Sequence, residues 1–163
     1  MSKVNVPVII DVEASGFGSH SYPIEVDIAF DDGRKSCSLI SPAPNWIHWN
    51  DEAEKVHQIS RDILKENGKI VYVLADELNE MLDGLTLYFD DWVVDKPWLV
   101  RLYEAAGRQM KFYVSPLEMI LSAKQMAIWH KVKDKVVLEM NLARHRASFY
   151  ASIIQETFKQ SLE

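Results

Sequence analysis

A short apolar run that ends in two alternating acids constrains the fold of this chain more than any other feature. The run covers residues 6–10, and Asp11 and Glu13 follow it just before the glycine-containing segment 14–18. A brief apolar run bounded by a turn signal is typical of a buried β-strand. Residues two apart in a strand project from the same face, so we expect both carboxylates to point the same way where the chain leaves the sheet edge.

Two carboxylates side by side indicate a metal site, although a metal is not the only chemistry that suits them. Like charges repel and are costly to remove from water unless a cation lies between them. Oxygen ligands of this kind suit Mg²⁺ or Mn²⁺. Solvated acids at the end of a strand would give the same pattern, and so would a metal-free pair of acid and base.

The rest of the chain predicts an α/β fold with alternating strands and helices. Strands are expected at 5–11, 23–31, 34–41, 85–89 and 110–114, with a hairpin turn at 31–33. Helices are expected at 51–56, after an N-cap at Ser60, at 76–82, at 96–106 and in two or three pieces over 116–159. The first helix of the region 116–159 is predicted to begin at a capping box formed by Ser115, with Pro116 in the first helical position.

Composition limits the size and class of the protein. A chain of 163 residues, 48% of them hydrophobic, is enough for one domain, and we predict a single domain over 1–163. The net charge of −6 disfavours a protein that coats nucleic acid by bulk attraction. Cys37 is the single cysteine, which excludes an internal disulfide. No apolar run approaches the ~18 residues of a membrane span, so we expect a cytoplasmic protein with no membrane partner.

Three segments in a fixed order carry a family resemblance. The first is Asp11-Val-Glu13 followed by Gly16-Phe17, the second is 91–98 around Asp95, and the third is His145 with its neighbours at 146 and 147. Over roughly residues 5 to 158 this order resembles the DEDDh exonuclease family, which includes proofreading subunits, oligoribonuclease and RNase T. The resemblance implies a ribonuclease H-like fold, with a central five-stranded mixed sheet flanked by helices.

The resemblance also implies a catalytic centre. Asp11, Glu13 and Asp95 would hold one or two Mg²⁺ or Mn²⁺ ions, and His145 would take the proton of the attacking water. Without the resemblance, we would favour a helix N-cap for Asp95 and an exposed surface position for His145.

Substrate contacts follow from the same resemblance. Phe17 would stack on the terminal base, although it could instead anchor its loop on the core. His57 matches a segment near the terminal nucleotide, although it could simply begin a helix. Trp46 and Trp49 could stack on bases too, but we favour a role in covering the sheet edge.

Position 150 departs from the family pattern. Tyr150 occupies the place of the last metal-binding aspartate, and a neutral phenol is a poor ligand for Mg²⁺. Asp134 and Glu156 are the nearby acids that could compensate for the missing carboxylate. Tyr150 also falls on one apolar stripe with Ile154 and Phe158, which predicts a packing role.

The favoured function is therefore a 3′–5′ exonuclease acting on single-stranded nucleic acid or short oligonucleotides. The alternative is a catalytically degenerate module that binds nucleic acid or protein, and a homodimer or a partner protein stays open. Basic side chains in the segment 124–146 would either track phosphates or form a solvated helix surface. They are Lys124, Lys131, Lys133, Lys135, Arg144 and Arg146.

Overall fold

A computed structural model describes residues 5–141 and 150–163 of the chain, including every strand and helix discussed below. The strands are β1 (Val8–Ala14), β2 (Pro23–Ala29), β3 (Lys35–Leu39), β4 (Thr86–Phe89) and β5 (Tyr113–Pro116). The helices are α1 (Asp51–His57), α2 (Arg61–Asn67), α3 (Val71–Leu82), α4 (Trp92–Ala106), α5 (Ala123–Asn141) and α6 (Tyr150–Ser161), with a 3₁₀ helix at Leu117–Ile120.

The strands form one mixed sheet in the order β3-β2-β1-β4-β5. β1, β2 and β3 make the antiparallel meander that the sequence predicts, and Gly33 takes a positive φ of 90° in the hairpin turn between β2 and β3. β4 and β5 join in parallel on the other side of β1. The predicted five-stranded mixed sheet flanked by helices is confirmed.

Alternation along β1 separates two apolar cores. Ile10 and Val12 belong to a large core that includes residues of α3 and α4. Ile9 points to the opposite face, where it packs with Ile154 and Phe158 of α6. Asp11 and Glu13 follow Ile9 at intervals of two, so they continue the face that α6 covers.

Several predicted boundaries move, including the start of α3 at Val71 rather than 76 and the start of β5 at Tyr113 rather than 110, and two of the changes affect the site. β1 runs through Ala14, so Asp11 and Glu13 lie inside the strand rather than at its end. α4 begins at Trp92 rather than near 96, and it carries Pro97 inside the helix. The ring of Trp92 packs on Phe89 with centroids 6.1 Å apart, and this contact anchors the extra turn.

The predicted helix start at Ser115 is wrong. Ser115 and Pro116 pair with β4 as the end of β5, and the short 3₁₀ helix comes next. α5 instead begins after Ser122, whose Oγ accepts a hydrogen bond from the Gln125 N–H at 3.1 Å. Gln125 Oε1 accepts the Ser122 N–H in return at 2.9 Å, so the true capping box lies seven positions later. Across the described parts of the chain, no helix is both long and apolar enough to cross a membrane.

Candidate functional site

Sequence-distant residues line one cavity of about 210 Å³ at the end of β1. Every predicted site residue in the described ranges contributes to its wall, and these are Asp11, Glu13, Phe17, His57, Asp95 and Tyr150. The predicted general base, His145, lies outside the described residues, as do Arg144 and Arg146. The structure thus brings together residues from β1, the following loop, α1, α4 and α6.

Two elements supply the three acids predicted as metal ligands, and Asp91 at the N-cap of α4 is a fourth acid on the cavity wall. Asp11 and Glu13 project from one face of β1, where Asp11 is only 5% exposed and Glu13 is half-buried. Asp95 lies in the first turn of α4 and is 6% exposed. The N-cap position of α4 belongs to Asp91, so the alternative in which Asp95 caps the helix is wrong.

Burial and mutual repulsion dominate the electrostatics of the three acids. Burial raises the pKa of Asp11 well above its usual range, and the charges of Asp95 and Glu13 raise it further. Burial raises the pKa of Glu13 to about 7, with the Glu25 charge adding to the effect. Burial likewise raises the pKa of Asp95 to about 7, although its hydrogen-bonding contact with Asp11 acts in the opposite direction.

These acids fit a divalent cation. Asp11 Oδ2 is buried and has no hydrogen-bond partner among the described residues. A buried carboxylate oxygen in this state is costly unless a cation or a proton compensates it. The donors are all carboxylate oxygens, which is the ligand chemistry of Mg²⁺ and Mn²⁺.

A second acidic pair stands beside the first, and the sequence prediction missed it. The register of the β1–β2 hairpin places Asp27 opposite Asp11 and Glu25 opposite Glu13. Both residues are buried. The signal was visible as Glu-x-Asp at 25–27, an inverted copy of Asp-x-Glu on the next strand, but using it required the hairpin register.

Phe17 stands on the loop between β1 and β2 and is 77% exposed, so the alternative in which it anchors the loop on the core is wrong. Arg101 holds this loop by donating to the carbonyls of Ser19 at 3.1 Å and Ser21 at 2.6 Å. A Cβ at Gly16 would lie 2.7 Å from His48 Cε1, so a larger residue here would displace the His48 side chain.

His57 is the last residue of α1, so the alternative in which it begins a helix is wrong. Its Nδ1 accepts the Ile59 N–H at 3.1 Å, which leaves the proton of the neutral ring on Nε2. Burial lowers the pKa of His57 and favours this neutral form. The Nε2 atom is buried without a hydrogen-bond partner in the described part of the chain, and the His57 side chain contributes to the cavity wall.

Tyr150 connects the cavity to a charged pair. Its ring packs against the α6 core as the apolar stripe predicts. Its hydroxyl donates to Asp90 Oδ2 at 2.9 Å and accepts from Lys133 Nζ at 2.6 Å. Asp134 and Glu156 do not line the cavity, so the acid beside Tyr150 is Asp90 rather than either residue expected to compensate.

The two tryptophans lie outside the cavity wall, consistent with the covering role that the sequence favours. Trp46 is buried and stacks on Tyr22 with centroids 5.3 Å apart. Trp49 packs on the main core, edge-on to His57 at 5.8 Å.

Comparison with solved structures identifies the fold. The chain is similar to Escherichia coli exonuclease I bound to a dA16 oligonucleotide, with a TM-score of 0.66, 11% identity, and coverage of 94% of this chain and 40% of that one. A zinc-bound form of the E. coli exonuclease I–ssDNA complex gives a TM-score of 0.63, 10% identity, and coverage of 95% and 39%. Exonuclease I from Methylocaldum szegediense gives a TM-score of 0.54 and 12% identity, with coverage of 78% of this chain and 30% of that one.

The likeness confirms the predicted ribonuclease H-like α/β fold, and identities of 10–12% carry the comparison no further than the fold. The chain spans about 40% of the length of the two E. coli exonuclease I chains described above. No family model and no curated protein sequence matches it.

Proposed function

We propose that this chain is a divalent-metal-dependent 3′–5′ exonuclease domain, spanning 1–163, that hydrolyses phosphodiesters at the 3′ end of single-stranded nucleic acid or short oligonucleotides. The observation that carries the proposal is the meeting of Asp11, Glu13, Phe17, His57 and Asp95 in one cavity. The fold adds support, because structures of exonuclease I with oligonucleotides share it.

The acids would provide the metal ligands. Asp11, Glu13 and Asp95 would hold one or two Mg²⁺ or Mn²⁺ ions, and the charges of Asp95 and Glu13 lie close enough to Asp11 to raise its pKa. Such ions, when bound, lower the pKa of the attacking water and offset charge on the phosphate. The zinc-bound form of exonuclease I supports divalent-cation binding in this fold.

The remaining cavity residues would bind and orient the substrate. The exposed ring of Phe17 would stack on the terminal base without reading its identity. His57 Nε2–H would donate a hydrogen bond to an oxygen of the terminal nucleotide. His145 would take the proton of the attacking water, a role that rests on the family resemblance.

The direct test uses a 5′-labelled single-stranded oligonucleotide incubated with the protein in Mg²⁺ or Mn²⁺. We expect a ladder that shortens from the 3′ end, and we expect Asp11→Asn to abolish it. Asp32→Asn is the matched control, because Asp32 is an exposed acid paired with Arg34 outside the cavity, and this variant should keep full activity. Cleavage that persists in a chelator or in Asp11→Asn would contradict the proposal.

A second candidate function follows from Tyr150. Its side chain lines the cavity with the acids, where the resembled family has a further carboxylate. With one ligand fewer, the chain would serve as a binding module for nucleic acid or for a partner protein, including a second copy of itself. Tight oligonucleotide binding without cleavage in either metal would favour this candidate.

A further inference from the structure

Glu25, Asp27 and Cys37 form a compact group beside the cavity, on β2 and β3. One ligand atom from each of these three side chains lies within 4.8 Å of the other two. Among the described residues, no other group of three or more His, Cys, Asp or Glu side chains is as close together. Cys37 Sγ lies 2.7 Å from Glu25 Oε1, to which its thiol donates. Asp11, Glu13 and Asp95 do not meet the same distance limit, so this group is the tighter of the two.

Asp27 supplies a separate indication that the group binds a ligand. Asp27 is only 1% exposed, and neither of its carboxylate oxygens has a hydrogen-bond partner in the portion of the chain that the structure describes. Its register places it between Asp11 on one neighbouring strand and Cys37 on the other, so it faces acids and a thiol. Burial raises the pKa of Asp27 to about 8, and the Glu25 charge contributes to the shift. A buried acid in these surroundings requires either a proton or a cation.

We propose that Glu25, Asp27 and Cys37 form a second divalent-cation site that prefers Zn²⁺ to Mg²⁺. Two carboxylates and a thiolate supply three ligands, and water would complete the four-coordinate geometry that Zn²⁺ favours. The sulfur sets the preference, because thiolates select zinc-like ions over Mg²⁺. The thiol would lose its proton to solvent when the metal binds.

The position of the group allows an ion to reach it. β3 is an edge strand of the sheet, and Cys37 is exposed there, while Glu25 and Asp27 lie deeper on β2. An ion can therefore arrive from solvent at the sulfur and be held by the buried oxygens. This proposal does not depend on the nuclease proposal, because the two sites share no ligand.

Cobalt provides a selective test, because Co²⁺ substitutes for Zn²⁺ and shows a charge-transfer absorption in the near ultraviolet when a thiolate binds it. Cys37 is the single cysteine, so such a band can arise only from this site. We expect the full chain to develop the band in a Co²⁺ titration, and we expect Zn²⁺ to displace it. Cys37→Ser should abolish the band, and Asp27→Asn should weaken Co²⁺ binding by about tenfold or more.

A control variant and a folding measurement separate the possible causes of a lost cobalt band. Asp95→Asn should retain the band, because Asp95 belongs to the other cavity, so failure of the nuclease proposal would leave this result unchanged. Circular dichroism of each variant without metal separates lost binding from lost folding. The proposal is overturned if folded wild type gives no band, or if Asp27→Asn binds Co²⁺ as tightly as wild type does.

Discussion

Tyr150 joins the cavity to a charged pair outside its wall, because its side chain lines the cavity and packs on the α6 core while its hydroxyl bonds to Asp90 and Lys133. Burial raises the pKa of this phenol, and the Asp90 charge adds to the shift, so the hydroxyl stays neutral at physiological pH. The residue therefore cannot replace a carboxylate as a metal ligand, although its hydroxyl holds Lys133.

Substitution at this position tests whether the missing carboxylate limits catalysis. We expect Tyr150→Asp to raise the Mn²⁺-dependent rate of oligonucleotide cleavage several-fold, because it restores an acid at the cavity, while the loss of the ring lowers thermal stability. Tyr150→Phe is the control, since it keeps the ring and removes the hydroxyl, and its rate should match wild type. An unchanged or lower rate in folded Tyr150→Asp would show that the fourth acid is not what limits the enzyme.

Phe17 offers a test of substrate binding with little effect on stability, because its ring is mostly in solvent. We expect Phe17→Ala to raise KM for a single-stranded oligonucleotide by about fivefold or more, the effect of losing at least about 1 kcal/mol of base stacking, with a smaller change in kcat. Ile47→Ala is the matched control, since Ile47 is equally exposed and lies outside the cavity wall. Equal KM values for the two variants would exclude the stacking role.

At the scale of elements, local sequence signals predicted which helices and strands form better than they predicted where each one begins and ends. The alternation of Ile9, Asp11 and Glu13 fixed the side of β1 on which the acids lie. The start of α5 was misplaced because Ser115-Pro116 satisfies a capping pattern, yet pairing with Tyr88 and Phe89 in the sheet outweighs it. The sequence alone could not predict which residues face each other across neighbouring strands, such as Asp27 opposite Asp11, because that depends on the register of the hairpin.

The capping box at Ser122 gives a stability prediction for this scale. Ser122→Ala should lower the free energy of unfolding by about 1 kcal/mol, because the Gln125 N–H loses its acceptor. Ser115→Ala, at the false capping box, should change it by less than about 0.5 kcal/mol. Urea denaturation measures both variants, and a larger loss for Ser115→Ala would place the helix start where the sequence alone predicted it.

The whole molecule concentrates negative charge on one face of its sheet. Asp11, Glu13, Glu25 and Asp27 occupy facing positions of β1 and β2, and Asp95 joins them from α4. The pKa values of Glu13, Asp27 and Asp95 rise to about 7, about 8 and about 7. At a pH between the usual carboxyl pKa values and these raised values, the folded chain therefore binds more protons than the unfolded chain.

This difference predicts how stability depends on pH. A raised carboxyl pKa favours the folded state at low pH, and that advantage is lost as the pH rises through the folded value. In a chelator we expect Tm to fall by several degrees between about pH 5 and about pH 8, and we expect saturating Mn²⁺ to reduce the fall. Thermal scans across this range measure the effect, and a Tm that rises with pH in the chelator would contradict the assignment.

Anomalous diffraction from a crystal soaked in Mn²⁺ tests the metal site most directly. We predict an anomalous peak in the cavity, within bonding distance of an Asp11 oxygen and of at least one oxygen from Glu13 or Asp95. A well-ordered map in which these three side chains point apart, with no peak between them, would contradict the account.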